Sequence, residues 1–444
     1  MLEKMYKAII VGIGVSGAAS LYMLTRYTNV VPIAVIEKYD GPAKVNSDPK
    51  NNAQTLHRGA TETNYSLEKA LLQKEAGDMV ARYIESKGPA GGLFRRLHIM
   101  ALAVGRAKVA RLRERYEVFK NYYPKLRFLD REGIAKIEPI VVDGRRANEE
   151  IAALVSEDGI AVNYQKLAEC LLQDALDSKK DIGVFFKTEV KRVSREAGHY
   201  SVETSWGNLR GESIIFTSGP YSLVFAQTLG YCTDLEILSV AGSFYFSRKV
   251  PNGKIYPMQR EGMPFAEHHL DPDVTDPSRA RFGPTAKIVP EMERRKPKTF
   301  FDYVLRTPVH TPRGVCAIVR AVLAKVPLDF VIKNAIYDMP VVGKWLFLKS
   351  ARKTVPLLRY SDLTLGKELG GVRPQIVNMK TKRLEMGEAR IVGDKNGDKI
   401  IANTTPSPGA SSSMKNGERD ARQIVEFLGE GFWFDEEKFR KDFG

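Results

Sequence analysis

The chain has 444 residues, 43% of them hydrophobic, so it can bury a sizeable core and should fold as roughly two or three domains. Its three cysteines, Cys170, Cys232 and Cys316, are far apart and show no zinc-ligand spacing, so we expect neither a disulfide framework nor a metal site. Lysine and arginine number 68 against 53 acidic residues. This charge favours a polyanionic partner but does not distinguish nucleic acid, anionic lipid and an acidic substrate.

The apolar run at residues 7–23 predicts a strand, a glycine turn and a helix, because three glycines and two serines interrupt it. Further along, no run of about 18 uninterrupted apolar residues follows. We therefore expect no transmembrane helix, no secretion and a cytoplasmic location.

The first elements predict a βαβ unit. Residues 6–12 are typical of a buried strand, residues 15–26 of a helix, and residues 32–37 of a second strand. A second helix is predicted to begin after the N-cap Ser66 and to continue to Lys87.

The turn between the first strand and the first helix has a GxGxxG pattern. Gly12 permits the tight turn, Gly14 lets a pyrophosphate approach the backbone, and Gly17 allows close helix packing. The helix N-terminus supplies N–H groups, and Glu37 at the end of the next strand can accept hydrogen bonds from a ribose. The pattern predicts an adenine dinucleotide, without distinguishing FAD from NAD.

Three later segments have distinct sequence patterns. Residues 187–219 predict a meander of strands with a turn near Trp206. Residues 237–360 have Pro/Asp-rich loops and a basic helical stretch at 317–333, which favours a second, substrate-facing domain. The small-residue loop 404–411 opens the last strongly helical segment, 411–429. It can bring N–H groups against a flat heterocycle, or it is an ordinary capped turn.

Several motifs in the same order resemble the malate:quinone oxidoreductase family almost end to end; they lie at residues 51–57, 62–65, 240–246, 269–271, 282–284, 371–375 and 407–411. One departure is Ala-Gln-Thr-Leu-His at 53–57, where many members have Ala-Gly-Thr-Gly-His. The chain is also shorter than the commonest members. These departures leave the substrate open, because related branches oxidise lactate, 2-hydroxyglutarate or amines.

The resemblance implies an α/β fold, α+β overall: a Rossmann-like FAD-binding domain of the glutathione-reductase/D-amino-acid-oxidase-like superfamily beside a β-sheet-based substrate domain. Residues 1–90, 146–236 and 366–444 would form the FAD-binding domain, and residues 91–145 and 237–365 the substrate domain. The implied FAD-binding residues are Gly12, Gly14, Gly17, Glu37, Lys38, Gln54, Thr55, Val190, Gly219, Gly409, Ala410 and Ser411.

The implied reaction is the oxidation of (S)-malate, or a related 2-hydroxy acid, with electron transfer to a membrane quinone. It needs a base, and His269 and His57 fall within the family-like motifs; we expect His269 as the base and His57 near the flavin, although the sequence permits the reverse. Arg373 is expected to bind a substrate carboxylate. Tyr256, Lys254 and Arg281 are weaker candidates for the other carboxylate, and His268 has no family match.

The resemblance also implies peripheral association with the anionic surface of the cytoplasmic membrane. Residues 342–359, with Trp345 among Lys349, Arg352 and Lys353, are a candidate docking patch, although a solvated helix with a buried apolar side fits them as well. An amine oxidase is the closer alternative function. A nucleic-acid-associated flavoprotein is remote, because no RNA-binding motif is visible, and no nucleic acid is expected as a partner.

Overall fold

The computed structural model describes residues 4–196, 198–259, 267–385, 389–393, 397–404 and 409–444. Its strands are β1 (Met5–Val11), β2 (Ile33–Ile36), β3 (Phe94–Arg96), β4 (Ile99–Val104), β5 (Leu126–Leu129), β6 (Ile151–Ser156), β7 (Ile160–Val162), β8 (Ile182–Phe185), β9 (Val190–Glu196), β10 (His199–Thr204), β11 (Gly207–Phe216), β12 (Leu235–Ala241), β13 (Phe244–Ser247), β14 (Lys254–Pro257), β15 (His269–Pro272), β16 (Ala280–Gly283), β17 (Lys287–Ile288), β18 (Leu363–Gly366), β19 (Val372–Asn378), β20 (Arg383–Glu385), β21 (Ala389–Gly393) and β22 (Ile400–Thr404). Its helices are α1 (Val15–Tyr27), α2 (Leu67–Lys87), α3 (Arg106–Phe119), α4 (Arg131–Ile137), α5 (Pro139–Val142), α6 (Tyr164–Asp177), α7 (Tyr221–Thr228), α8 (Lys298–Arg306), α9 (Pro312–Lys325), α10 (Leu328–Ile336), α11 (Val342–Ala351), α12 (Ser413–Leu428) and α13 (Glu436–Phe443).

The first sheet contains the predicted βαβ unit. Its strand order is β21-β22-β11-β1-β2-β8, and the β9-β10 hairpin is attached to β11. β1 pairs in parallel with β2 and with β11, while α1 packs against α6 and α12. All four residues of β2 are buried, as expected for a parallel strand that is covered on both faces. The predicted strand meander at 187–219 is confirmed as β9, β10 and β11.

Besides the two-stranded pair β3-β7, two further sheets lie beside the first one. The larger has the order β18-β13-β16-β15-β14-β4-β6-β5, and the smaller has the order β17-β12-β19-β20. β6 pairs with β4 and β5, and β19 pairs with β12, so these two strands join strands that the sequence assigned to the substrate domain. The domain limits as a whole stay a prediction.

The helix predictions need two corrections. The basic stretch at 317–333 is not one helix, because α9 ends at Lys325 and α10 begins after Pro327. The chain also has a helix after α12, α13, which packs Phe439 and Phe443 against Tyr27. The predicted N-cap is confirmed, since the Ser66 hydroxyl accepts the backbone N–H of Lys69 at 3.3 Å. Within the described ranges, every helix is too short or too polar to cross a bilayer.

Candidate active site

A cavity of about 880 Å³ is lined by residues from three of the four sheets and from the turn between β1 and α1. Most residues that the sequence singled out lie in its wall, namely Gly12, Gly14, Glu37, Lys38, Gln54, Thr55, His57, Val190, Gly219, Tyr256, His269, Arg373, Gly409, Ala410 and Ser411. Gly17, Lys254 and Arg281 are outside this wall.

The three glycines of the β1–α1 turn have different roles. Gly12 has a φ of +92°, and a Cβ there would lie 2.9 Å from the Cα of Ser218. A Cβ on Gly17 would lie 2.0 Å from the carbonyl oxygen of Gly12, so Gly17 allows α1 to pack against the turn. A Cβ on Gly14 would meet only the Ser47 hydroxyl, at 3.4 Å. Gly14 faces the cavity, where it leaves room for a ligand at the N-terminus of α1.

Glu37 lies at the end of β2 and joins the turn to this strand. Its carboxylate accepts the N–H groups of Ile13 and Tyr39, each at 3.0 Å, and burial raises its pKa. Carboxylate lone pairs remain for the hydroxyls of an adenine ribose. Lys38 is already engaged, because its ammonium pairs with Glu293 and lies 4.5 Å from the centroid of the Tyr221 ring.

The residues 409–412 form a short 3₁₀ turn in the cavity wall, next to α2. The Ser411 hydroxyl accepts the His57 N–H at 2.9 Å and lies 3.1 Å from the Tyr164 hydroxyl, so it connects this turn to the 53–57 segment. The preceding loop residues 405–408 lie outside the described residues. The Gln54 side-chain amide bonds Asp273 and the backbone of Val274. The Gln54 N–H donates to Asn52 Oδ1 at 2.9 Å and its carbonyl accepts the Val162 N–H at 2.8 Å, so the polar groups of Gln54 already have partners within the protein.

The wall fits a flavin dinucleotide. Gly14 leaves an open approach to the α1 N-terminus, and Glu37 lies beside it. Asn46 contributes a buried amide oxygen, Oδ1, that has no hydrogen-bond partner among the described atoms. A polar ligand in the cavity would satisfy this oxygen.

His269 and Asp271 form a buried pair on β15. The His269 Nδ1–H donates to Asp271 Oδ2, and the Lys254 ammonium donates to the other carboxylate oxygen at 3.1 Å. Although burial opposes it, the charges of His269 and Lys254 lower the pKa of Asp271 to about 2. Burial lowers the pKa of His269 and outweighs the effect of Asp271. His269 is therefore a neutral imidazole at neutral pH, with Nε2 as its acceptor.

Arg373 is a cation in the cavity wall near His269. It lies on β19 in the cavity wall, and burial lowers its pKa. None of the residues that the structure describes forms an ion pair or a hydrogen bond with its guanidinium, and the Tyr256 hydroxyl is its electrostatic neighbour. A largely buried guanidinium without a counter-ion is costly unless a ligand anion neutralises it.

Lys254 and Arg281 are placed differently from the sequence expectation. Lys254 is fully buried and donates to the Ala53 carbonyl at 2.7 Å as well as to Asp271. Arg281 forms a buried bidentate pair with Asp273 through contacts of 2.9 and 2.7 Å. Both cations are already neutralised inside the protein, so neither is free to bind a substrate carboxylate.

Tyr256 and His57 line the cavity next to His269. The Tyr256 ring stacks on His269 with centroids 4.4 Å apart, and its hydroxyl lies 2.5 Å from Thr55 Oγ1. His57 Nδ1 lies 2.6 Å from a carboxylate oxygen of Glu62. Burial opposes it, but the His57 contact lowers the pKa of Glu62. Both histidines thus have a carboxylate partner, and the partner of His269 is the more deeply buried.

Sequence reasoning missed the two carboxylates as functional partners. Asp271 had a usable signal, because residues two apart on a strand face the same side, and His269 and Asp271 are two apart on β15. Glu62 follows His57 by five residues in a loop, where no periodicity predicts a contact.

The fold and the cavity are those of a flavoprotein oxidoreductase. A family model described as FAD dependent oxidoreductase matches residues 7–331. Among solved structures, the FAD-bound L-alpha-glycerophosphate oxidase of Mycoplasma pneumoniae has a TM-score of 0.63 at 18% identity over 95% of each chain. Glycine oxidase of Bacillus cereus has a TM-score of 0.63 at 16% identity over 96% of each chain. FAD is therefore the cofactor, and the expected fold class is confirmed.

Comparison with curated relatives identifies the family more specifically. The chain is 35% identical to the probable malate:quinone oxidoreductase of Campylobacter jejuni over the whole of both chains. It is 34% identical to the malate:quinone oxidoreductase of Helicobacter pylori strain J99, over 98% of this chain and 97% of that protein. The chain belongs to the malate:quinone oxidoreductase family, as the motifs indicate.

Proposed function

We propose that this protein oxidises (S)-malate to oxaloacetate and passes the electrons to a membrane quinone. One observation carries the proposal: a neutral histidine held by a carboxylate, and a guanidinium with no counter-ion among the described residues, line the same cavity as the glycine turn and Glu37. The names of the curated relatives support malate and quinone as the substrates.

The chain's own residues would bind and deprotonate the substrate. Arg373 would hold one malate carboxylate through two parallel hydrogen bonds and so fix the direction of the C2–H bond. His269 Nε2 would take the hydroxyl proton, and Asp271 would hold the opposite ring nitrogen and stabilise the imidazolium that forms. Bound FAD supplies the acceptor for the hydride that leaves C2. Loss of this hydride and proton turns the alcohol carbon into the carbonyl of oxaloacetate.

A substrate panel tests the reaction. Purified holoenzyme would be mixed with malate, lactate, 2-hydroxyglutarate and a set of amines, each with a dye or a quinone as acceptor. We expect fast reduction with malate and little with amines. Preferred oxidation of an amine with release of hydrogen peroxide would replace the proposal with an amine oxidase, and a preference for lactate would keep the chemistry but change the substrate.

The base is tested by rapid-mixing measurements of flavin reduction. His269→Asn should slow reduction by malate about 100-fold or more with little change in malate binding, as expected when a general base is lost. His57→Asn is the matched control, since His57 lies in the same cavity with a carboxylate partner of its own. Full-speed reduction in His269→Asn together with a collapse in His57→Asn would exchange the two roles.

The same proposal places the enzyme at the cytoplasmic face of the membrane, where it would meet its quinone. The excess of 15 positive charges supports attraction to anionic lipid. A quinone acceptor embedded in lipid also requires a surface of the protein that reaches it.

A further inference from the structure

The exposed apolar side chains of this protein are concentrated in one part of the chain. Among the described residues, 22 large hydrophobic residues are exposed, and 14 of them lie between positions 300 and 360. This stretch is about a seventh of the sequence. Exposed apolar residues on a soluble surface are ordinarily scattered singly, so such a concentration indicates an interaction surface.

The pattern repeats on successive helices. Phe301 and Leu305 are exposed on α8, and Val319 and Leu323 on α9, in each case four residues apart. Residues four apart lie on one face of a helix. The opposite face of α9 is buried through Ala317 and Ala321. These helices thus turn one apolar face to the core and a second one outwards, whereas a helix on a soluble surface has a polar outer face.

The next two helices continue this surface. Leu328 on α10 and Trp345 on α11 are each 61% exposed, and Val341, just before α11, is 71% exposed. We call the outward apolar side chains of α8 to α11, together with Val341, the membrane face. Within the docking patch suggested by the sequence, Phe347 and Leu348 of α11 pack into the core, so they are not available for docking, whereas Trp345 is exposed.

The charge of the same segment complements an anionic bilayer. Residues 298–360 contain 11 lysines and arginines and three acidic residues, a difference of +8 out of the total of +15. On α9, Arg313 and Arg320 are exposed beside the apolar stripe. Apolar side chains surrounded by cations suit insertion among acyl chains under anionic headgroups better than a protein surface.

The membrane face adjoins the active-site cavity. Arg306, the last residue of α8, lines the cavity and directly follows the exposed Leu305. α9 packs on the small sheet β17-β12-β19-β20, and β19 of this sheet carries Arg373. The end of α8 and the sheet under α9 thus both contribute to the cavity wall.

We propose that the membrane face inserts its apolar side chains into an anionic bilayer and places the cavity mouth at the lipid surface, where a quinone can enter. The role of the quinone rests on the proposed function, whereas insertion into lipid does not. Insertion predicts binding that salt weakens but does not abolish, since only the electrostatic part is screened.

The test compares two triple variants of the holoenzyme with equal changes in charge. Phe301, Leu323 and Trp345 are replaced by Glu in the first, and Val118, Leu176 and Trp206, which are exposed elsewhere, in the second. Co-sedimentation uses vesicles of phosphatidylcholine and phosphatidylglycerol. The first triple should bind about tenfold or more weakly than wild type, because charged groups replace the inserting side chains, and the second should bind like wild type.

A spectroscopic measurement reports insertion directly. The chain has three tryptophans, so Trp206→Phe with Trp433→Phe leaves Trp345 as the only one. Its emission should shift to the blue on vesicle binding and be quenched by lipids brominated on the acyl chains. Unchanged emission, or equal vesicle binding by both triples, would overturn the proposal.

Two further readouts separate the possible failures. If wild type is a dimer by light scattering and the first triple is a monomer, the face joins two copies of the chain and the lipid proposal is wrong. Malate oxidation with a soluble dye should be the same in wild type and in both triples. Failure of wild type in that assay would reject the proposed function while leaving the vesicle result intact.

Discussion

Arg373 has the most direct test at the scale of single residues. Arg373→Met should lower kcat/KM for malate by an amount equivalent to about 2–5 kcal/mol, because it removes the only contact proposed for the substrate carboxylate. FAD content, read from the absorbance of the purified protein, should stay unchanged, since the glycine turn and Glu37 that hold the dinucleotide lie elsewhere in the cavity wall. Arg373→Lys should restore only part of the activity, because an ammonium lacks the planar fork. Normal malate kinetics in Arg373→Met would assign the carboxylate to another residue.

The sequence predicted some of these residues better than others. His269 and Arg373 are about 100 residues apart, yet both lie in family-like motifs, and this resemblance indicated that they belong to one site. Tyr256 lies outside these motifs and was only a weaker candidate. The ion pair of Lys254 with Asp271 could not be predicted from the sequence, because it depends on the register of β14 and β15, in which Ile255 lies opposite Leu270. This register places the Lys254 ammonium against Asp271, and it arises only when the sheet has formed.

The β1–α1 turn supplies a prediction at the scale of elements. Gly14→Val should abolish FAD binding while the far-UV circular dichroism stays native, because a side chain there enters the ligand space and clashes with no backbone atom. Gly17→Ala is the contrasting variant. Its Cβ would lie 2.0 Å from a backbone oxygen, so it should lower the melting temperature of the apoprotein as well. Equal loss of folding in both variants would contradict this division of roles.

The buried carboxyl group of Glu236 on β12 predicts that the stability of the fold depends on pH. Glu236 is buried on β12 with Oε2 unpaired among the described atoms, and burial raises its pKa to about 7. Its stabilising contribution is thus fully present below pH 4.5 and is lost as the pH rises through about 7, up to a limit of about 3 kcal/mol. In Glu236→Gln, the melting temperature should change less with pH between 4.5 and about 7 than in wild type.

Glu430→Gln removes an exposed carboxylate and serves as the control for that variant. It should melt with the same pH profile as wild type. A wild-type melting temperature that does not change between pH 5 and pH 8 would show that Glu236 is ionised without cost.

Strands and helices were predicted correctly where the local sequence carries a clear pattern. The βαβ unit, the strand meander and the N-cap Ser66 follow from glycine spacing, alternation and capping, which are local properties. α13 was missed because it is short and mostly charged. Its two phenylalanines pack against Tyr27, which lies more than 400 residues earlier in the chain, so no local pattern predicts this contact. The small sheet was missed as a unit because β12 and β19 are more than 130 residues apart.

For the whole molecule, the distribution of charge is as informative as its sum. About half of the excess of 15 positive charges lies in residues 298–360, where the apolar side chains are exposed. The two contributions to membrane binding should therefore be separable. Apolar insertion should persist at high salt, while electrostatic attraction is screened within about 8 Å at physiological ionic strength.

The electrostatic part is tested by replacing Lys349, Arg352 and Lys353 with Gln. This triple should weaken binding to anionic vesicles at low salt and lower the activity with a long-chain quinone, because each cation near the surface contributes about 1 kcal/mol. Activity with a soluble dye should be unchanged. The two salt curves should converge as salt rises, since the apolar contacts of the membrane face are intact.

The control removes three exposed lysines elsewhere, Lys125, Lys136 and Lys191, so the net charge falls equally. If total charge alone attracted the protein, both triples would lose the same affinity at low salt. A loss confined to the first triple would instead show that position decides, because the cations of the first triple lie beside the exposed apolar side chains and those of the control do not. Absence of wild-type binding at low salt would reject the peripheral association altogether.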